Sequence, residues 1–476
     1  MLEEIPRPGL WKRLLIGTAL VIFASAAATA VAGFHELDRV VSAFRYNPEL
    51  KLGNELARTD SGKPQTIMLL GSDRRPRGNT EGAGTDARSD TIILVRLDPS
   101  KEATALMSLP RDLKVNIPGH GLDKINAAYD IGGPRLTLRT VKELTGLRIN
   151  HVINVDFRGF YAAVNAIGCV YADIDRRYFN QSAAYAYINV QPGYQRMCGS
   201  KALKYVRFRH EDTDLVRSAR QQDFLREAKQ QVATGKLISD RDRLVKIFGK
   251  YTTSDGALRN RAEVLRLLKL AVFSADNPVR EVHFEGQVGP SYVTASSSKV
   301  RDLAQQFLGV EETPGPRGNV GPRRRRRQAR ADLNLFETAE GKSQALQAVQ
   351  QGAGGTLPVF YPTKVVNGSS FTGPPRVYKI GAGGKRYGSY RIVINRGLIG
   401  EYYGIQGTRW LDPPILDGPS EERKIGRRTF ELHYDGDRVR LVAWRTKTAV
   451  YWVSNTLLQT LSKRQMIAIA KSTRTL

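Results

Sequence analysis

Three apolar runs decide the fold: TIMLLGSD at residues 66–73, DTIILVRLD at 90–98 and ATALMSLPRD at 103–112. Each is a short stretch dominated by aliphatic residues that ends in polar ones. Strands buried on both faces read this way, because neither face needs an alternating polar partner. The polar residues that follow such strands are delivered to the sheet's end, where α/β folds place their sites. Downstream, helical spacing covers 134–145, 157–167, 216–233, 240–251 and 259–273, and VREVHFEG near 279–286 reads as a further strand. Alternating strands and helices predict a layered α/β domain over 63–310, with a central mixed sheet and flanking helices.

Upstream, residues 14–34 read LLIGTALVIFASAAATAVAGF without a charge, and about 20 apolar residues cross a bilayer core as a helix. Arg7, Lys12 and Arg13 precede the run, which assigns 1–13 to the cytoplasm and the rest of the chain to the outside. The expectation is a single-pass signal-anchor in the cell membrane, followed by a stalk over 35–62. Small residues at Ala26, Ala28 and Ala30 leave a signal-peptidase site as the alternative. Beyond the α/β domain, TPGPRGNVGPRRRRRQAR at 313–330 is rich in Pro, Gly and Arg and has no apolar period. It predicts a basic, solvated linker over 311–355. Residues 356–476 are rich in β-branched and aromatic residues, and Asp435-Gly436 between two alternating runs signals a hairpin. With a closing helix near 456–472, this region is expected to be a smaller β-rich (α+β) domain, to which the sequence assigns no role.

Lys and Arg outnumber Asp and Glu, 73 to 46, a formal net charge of +27. Such an excess calls for a polyanionic partner, and an extracytoplasmic location removes nucleic acid from the candidates. A DNA-binding regulator would need the basic domain on the cytoplasmic side. Two cysteines exclude both a disulfide-dense scaffold and a multi-cysteine zinc module. Cys169 and Cys198 either bridge to each other or stay as buried thiols. Gly381-Ala382-Gly383-Gly384-Lys385 lacks the spacing of a phosphate loop and reads as a hairpin turn. Trp410, Trp444 and Trp452 read as core residues, with sugar stacking the alternative. The six histidines are scattered, and only His210 lies beside the charged cluster described next.

The chemistry concentrates between residues 71 and 222. Asp73 follows the first strand, Arg88-Ser89-Asp90 opens the second, and Ser108-Leu109-Pro110-Arg111-Asp112 closes the third. A single aspartate at a strand end caps a turn. Two at neighbouring strand ends, Asp73 and Asp90, can share a hard cation such as Mg²⁺, or Mn²⁺ in its place. Residues 207–222 read RFRHEDTDLVRSARQQ. Tyr205, Val206 and Phe208 suggest a strand here, which would set Arg207 and Arg209 on one face. Together with Arg217 these guanidinium groups suit a pyrophosphate, whose oxygens accept bidentate hydrogen bonds from planar forks.

The ordered motifs GSD, RSDTIILV, SLPRD, KINAAY, ALKYVRFRH, DTDLVR and RQQ resemble those of the LytR-CpsA-Psr family, most closely over residues 64–235. That resemblance implies a membrane-anchored, Mg²⁺-dependent phosphotransferase with a hydrophobic cleft for a polyprenyl chain. Its partners would be a polyprenyl-pyrophosphate-linked glycan, peptidoglycan and the cell membrane, and its product a glycopolymer attached to peptidoglycan. Matched by motif, Asp73 and Asp90 would bind metal, and Arg88, Arg111, Arg207, Arg209 and Arg217 would grip pyrophosphate. Lys124, in the KIN segment, and Gln221 would line the same site. Asp214 is the expected base near the attacking hydroxyl, with Arg111 and Arg217 acting at the reacting phosphate. The loop from Arg74 to Ala87 is longer, and the step from Arg209 to Asp214 shorter, than the family pattern. The alternatives are hydrolysis of polyprenyl pyrophosphate at the same site, and a non-catalytic wall-binding or regulatory membrane protein.

Overall fold

The computed structural model describes residues 37–476 apart from 61, 73–88, 102–103, 182–186, 209–210, 232–240, 274–278, 285, 290, 310–332, 356, 398–399 and 437. The expected span at 14–34, the expected metal ligand Asp73, Arg88, Arg209, His210 and the whole basic stretch at 313–330 lie outside the described residues. Among those described, no helix is long and apolar enough to cross a membrane.

The three apolar runs form β1 (Gln65–Ser72), β2 (Ser89–Leu97) and β3 (Thr104–Leu109). Three later strands complete a six-stranded sheet: β4 (His151–Asp156), β5 (Thr252–Ser254) and β6 (Val279–Val282), in the order β5-β4-β1-β2-β3-β6. β2 runs antiparallel to β1 and β3, whereas β4 is parallel to β1 and β6 is parallel to β3. The sheet is therefore mixed.

Alternation explains why the strands read as continuous apolar runs. Met68, Leu70, Ile92 and Leu94 are fully buried on one face. There they meet helices α2 (Ala127–Thr145) and α8 (Ser297–Leu308). Ile67, Leu69, Ile93 and Val95 face the other way. That second face is covered by α1 (37–45), α6 (Arg241–Tyr251) and α7 (Arg261–Phe273) and by Leu225 of α5 (Asp214–Gln231), with α3 (Phe157–Ala166) and α4 (Gly199–Arg207) beside them. The helix expected from residue 134 is regular only from there, because Gly132 and Gly133 break the helical geometry just before Pro134.

Two readings need correction. Residues around Arg207 are helix, not strand: Ala202, Tyr205 and Val206 are buried while Lys201 is exposed, the spacing of a helix lying on a core. That period outweighs the strand preference of Tyr-Val-Arg-Phe. Residues 333–355, expected inside the linker, contain strand Leu335–Glu337 and helix α9 (Glu340–Gln350). Ala345 and Ala348 of α9 are fully buried against the C-terminal core. Its contact stripe is made of small residues, so its apolar signal is weak.

The C-terminal region forms an eight-stranded sheet from β7 (Ser370–Phe371), β8 (Arg376–Ala382), β9 (Lys385–Asn395), β10 (Tyr402–Thr408), β11 (Glu421–Ile425), β12 (Arg428–Asp435), β13 (Arg438–Arg445) and β14 (Val450–Ser454). Gly383 and Gly384, both at positive φ, turn β8 into β9, as a two-residue hairpin requires. The β12–β13 hairpin is present one residue on from the expected position: Asp435 pairs with Arg438 as part of the ladder and is buried. Trp444 and Trp452 are core residues. The last helix, α10 (Lys463–Ser472), begins at a Ser462 capping box, seven residues later than its apolar pattern suggests.

Candidate active site

β1 and β4 end, β2 begins and β3 ends at the same edge of the central sheet. Gly71 pairs with Thr91 and Ser72 with Ser89, so Asp90 is the extra residue of a β-bulge. Bulges re-aim a side chain at a sheet end, and this one falls on an expected metal ligand. Asp73 follows Ser72 directly in sequence. By chemistry alone, a pair of aspartate carboxylates would suit Mg²⁺. The other described acids here, Asp112, Asp156 and Asp214, are already held by cations, and Asp214 also by a backbone amide.

Those two acids build a connected chain of charge. Lys124 Nζ lies 3.0 Å from Asp112 Oδ1, and Arg111 Nε lies 3.6 Å from the same oxygen. The Asp112 amide donates to Asp214 Oδ2 at 2.9 Å, and Asp214 Oδ1 pairs with Arg217 at 2.7 Å. Arg111 and Arg217 are 7% and 4% exposed, so their charges are screened little by water. Burial acts against ionisation of Asp112, but its hydrogen bonds to Lys124 and Asp214 and the Arg111 charge outweigh it and lower its pKa. For Asp214 burial wins over Arg217, and the Asp112 carboxylate adds to it, so that its carboxyl titrates above the usual range.

Gln221, two turns along α5 from Asp214, donates to Thr91 Oγ1 and to the Val206 carbonyl, each at 3.2 Å. Arg207, at the C-terminal end of α4, stacks its guanidinium 4.0 Å from the centre of the Phe157 ring. Between them opens a cavity of about 170 Å³, walled by apolar side chains including Leu69, Ile93, Phe160, Leu203 and Phe224. Arg207, Gln221, Thr91 and Asp156 are its polar members.

The structure thus gathers Arg111, Lys124, Arg207, Asp214, Arg217 and Gln221 around one sheet edge. It places the backbone of Asp90 there too. Sequence reasoning did not assign Asp112, although it completes the quoted SLPRD cluster. Phe157 and Thr91 carried no signal, because their roles come from contacts with distant α4 and α5. Arg220, beside Arg217 in sequence, is fully buried, paired with Asp212 and flanked by the Tyr178 and Tyr205 rings. It is structural.

An apolar cavity rimmed by a guanidinium and an amide, next to a run of cations and paired acids, defines a protein that handles an amphiphile with an anionic head. The LytR_cpsA_psr family model matches residues 26–305. The chain belongs to that family. It is 34% identical over 255 residues to a polyisoprenyl-teichoic acid–peptidoglycan teichoic acid transferase, TagU, of Oceanobacillus iheyensis, covering 51% of this chain and 75% of that protein. It is 31% identical over 225 residues to the corresponding transferase TagT of Bacillus subtilis, covering 45% of this chain and 68% of that protein. The crystal structure of B. subtilis TagV is similar over 52% of this chain and 98% of its own, at 23% identity and a TM-score of 0.43.

Proposed function

We propose that the protein is an extracytoplasmic transferase that moves a glycopolymer from a polyprenyl-pyrophosphate carrier onto peptidoglycan. The observation that carries this reading is the continuity of the apolar cavity with Arg207 and Gln221, and of Gln221 with Asp214 and Arg217 along one face of α5. The cavity takes prenyl units, and the cations beside it take the pyrophosphate. The names of the two similar transferases agree with that substrate class. The apolar run at 14–34 would anchor the chain, and the Cys169–Cys198 bridge fits an oxidising, extracytoplasmic location.

In this mechanism a hydroxyl of the acceptor sugar attacks the sugar-side phosphorus of the carrier. A new P–O bond forms, the bond from that phosphorus to the bridging oxygen breaks, and the polyprenyl phosphate leaves with the bridging oxygen. Arg111, Arg207 and Arg217 neutralise charge on the phosphate oxygens as it shifts toward the leaving group. Asp214, made more basic by its burial, accepts the hydroxyl proton. Lys124 and Arg111 keep Asp112 ionised, and its amide holds Asp214 in place. Asp73 and Asp90 would hold Mg²⁺, which when bound supplies further charge neutralisation at the diphosphate.

The test is transfer of a radiolabelled polyprenyl-pyrophosphate glycan to peptidoglycan in membranes carrying the full chain. Asp90→Ala and Arg111→Ala are expected to abolish it. Wild-type transfer in both would overturn the site, and unchanged turnover in excess EDTA would remove the metal.

A further inference from the structure

The family match ends at residue 305, yet the C-terminal domain beyond it is docked along α5, the helix that supplies Asp214, Arg217 and Gln221. Those three residues share one face of the helix, being three and four positions apart. The opposite face is held by the C-terminal domain near both ends. In the last turns, Arg440 of β13 reaches Glu227 at 2.6 Å, and Arg226 is paired with Asp435 of β12. In the first turn, Val216 is fully buried and lies against Gly400. A Cβ on Gly400 would sit 2.3 Å from Val216 Cγ2, and its φ of +76° already demands glycine.

Two residues on, Tyr402 lies under the Arg176 guanidinium, 5.3 Å from ring centre to carbon. Arg176 holds Asp212 at 2.6 Å, immediately before the first turn of α5. The C-terminal domain therefore touches the first turn of α5 directly and reaches the segment leading into it through Arg176.

We infer that the C-terminal domain is a positioning element of the active site, with the Gly400–Val216 contact fixing the first turn of α5 and so the reach of Asp214 and Arg217. This rests on the transferase reading above, in which those two side chains act at the reacting phosphate. Gly400 and Val216 touch no substrate. Their effect is on the placement of charge during transfer, whereas the apolar cavity that holds the carrier is walled mainly by other elements.

The experiment uses the full chain in membranes with a polyprenyl-pyrophosphate glycan as donor. Gly400→Ala is expected to lower kcat at least tenfold and to change KM for the carrier less than threefold, measured well below a melting temperature that strain at its φ of +76° lowers. Adding Val216→Ala removes the methyls that the new Cβ meets and should restore most of kcat. Full activity in Gly400→Ala would overturn the inference. So would a loss that follows the melting temperature, or one that Val216→Ala does not rescue. Absence of transfer by the wild-type chain would instead count against the transferase reading, so the two failures are distinguishable.

Discussion

Arg226→Met tests what holds the two domains together. Arg226 is 2% exposed and its guanidinium is paired with Glu281 and Asp435, whose side chains are 1% and 0% exposed, and with Asp223. Methionine fills similar space but leaves these carboxylates without their main counter-charge. Removing one partner of a buried pair costs about 3–5 kcal/mol. The lower end applies at neutral pH, because burial, outweighing the Arg226 charge, pushes the Glu281 carboxyl up to about 8 and lets it take up a proton. Asp435 behaves oppositely. Burial would raise it, yet hydrogen bonding to His283, the Arg226 charge and the Glu281 amide bring it down to about 2. It also accepts from Gln459 at 2.8 Å, so it keeps partners when Arg226 is gone. A deficit of ~3 kcal/mol in a domain of this size lowers its melting temperature by about 10 °C. The sign of the pH effect follows from the raised Glu281 value. The folded state holds that proton to higher pH than the unfolded state, so ionisation destabilises, and losing Arg226 raises the folded pKa further. The deficit should therefore grow between pH 7 and 9. Scanning calorimetry of the full chain in detergent measures it, with Arg226→Met/Glu281→Leu as the control that removes the stranded acid and recovers most of the loss. A deficit below about 1 kcal/mol, or one independent of pH over that range, would refute the reasoning.

Three further outcomes are expected. Asp112→Asn removes a negative charge that helps raise Asp214, so the acid limb of the kcat–pH profile should move to lower pH by up to about one unit. An unmoved limb would exclude Asp214 as the base. His433 is buried, and burial together with the Arg440 and Arg445 charges lowers it to about 3. Its contribution to stability is present above its unfolded value near 6.5 and is lost as pH falls toward 3. His433→Leu should therefore reduce the fall in C-terminal domain stability between pH 6.5 and 5 by about 2 kcal/mol, read by urea unfolding at the two pH values. Leu203→Trp fills the cavity of about 170 Å³ and should raise KM for a long-chain carrier tenfold or more, with a much smaller effect on a short-chain analogue. Equal effects on both carriers would detach the cavity from the lipid.

The sheet was legible because burial on both faces writes itself as consecutive aliphatic residues, as at Ile92 and Ile93 or Met68 and Leu69. Turns with a local cause were legible too, such as Gly383-Gly384. Arg111, Lys124, Asp214, Arg217 and Gln221 could be singled out because their ordered motifs resemble one family, and the fold brings them together. What escaped were properties set by partners distant in sequence. Asp435 looked like a turn residue, and only the arrival of Arg226 and Glu281 from the other domain makes it a buried anion. Helix α9 was hidden because its contact stripe is Ala345 and Ala348. The helix ending at Arg207 was misread because local strand preference in Tyr-Val-Arg-Phe spoke louder than the wider period from Ala202. Asp112 was visible but anonymous: nothing local indicates that its amide meets Asp214, 102 residues later.

Both edges of the central sheet are supplied late. β5 covers the edge of β4, and β6, beginning at Val279, covers the edge of β3, whose six residues are all buried. Until those segments emerge during synthesis, the aliphatic strands that define the fold present open hydrogen-bonding edges, the usual template for aggregation. Pairing across so long a separation is also slow. Truncation near residue 235, where the strongest motifs end, would keep the described residues around the cavity and leave both edges bare. The smallest useful fragment must therefore extend through β6, well beyond the last residue that touches the proposed substrate.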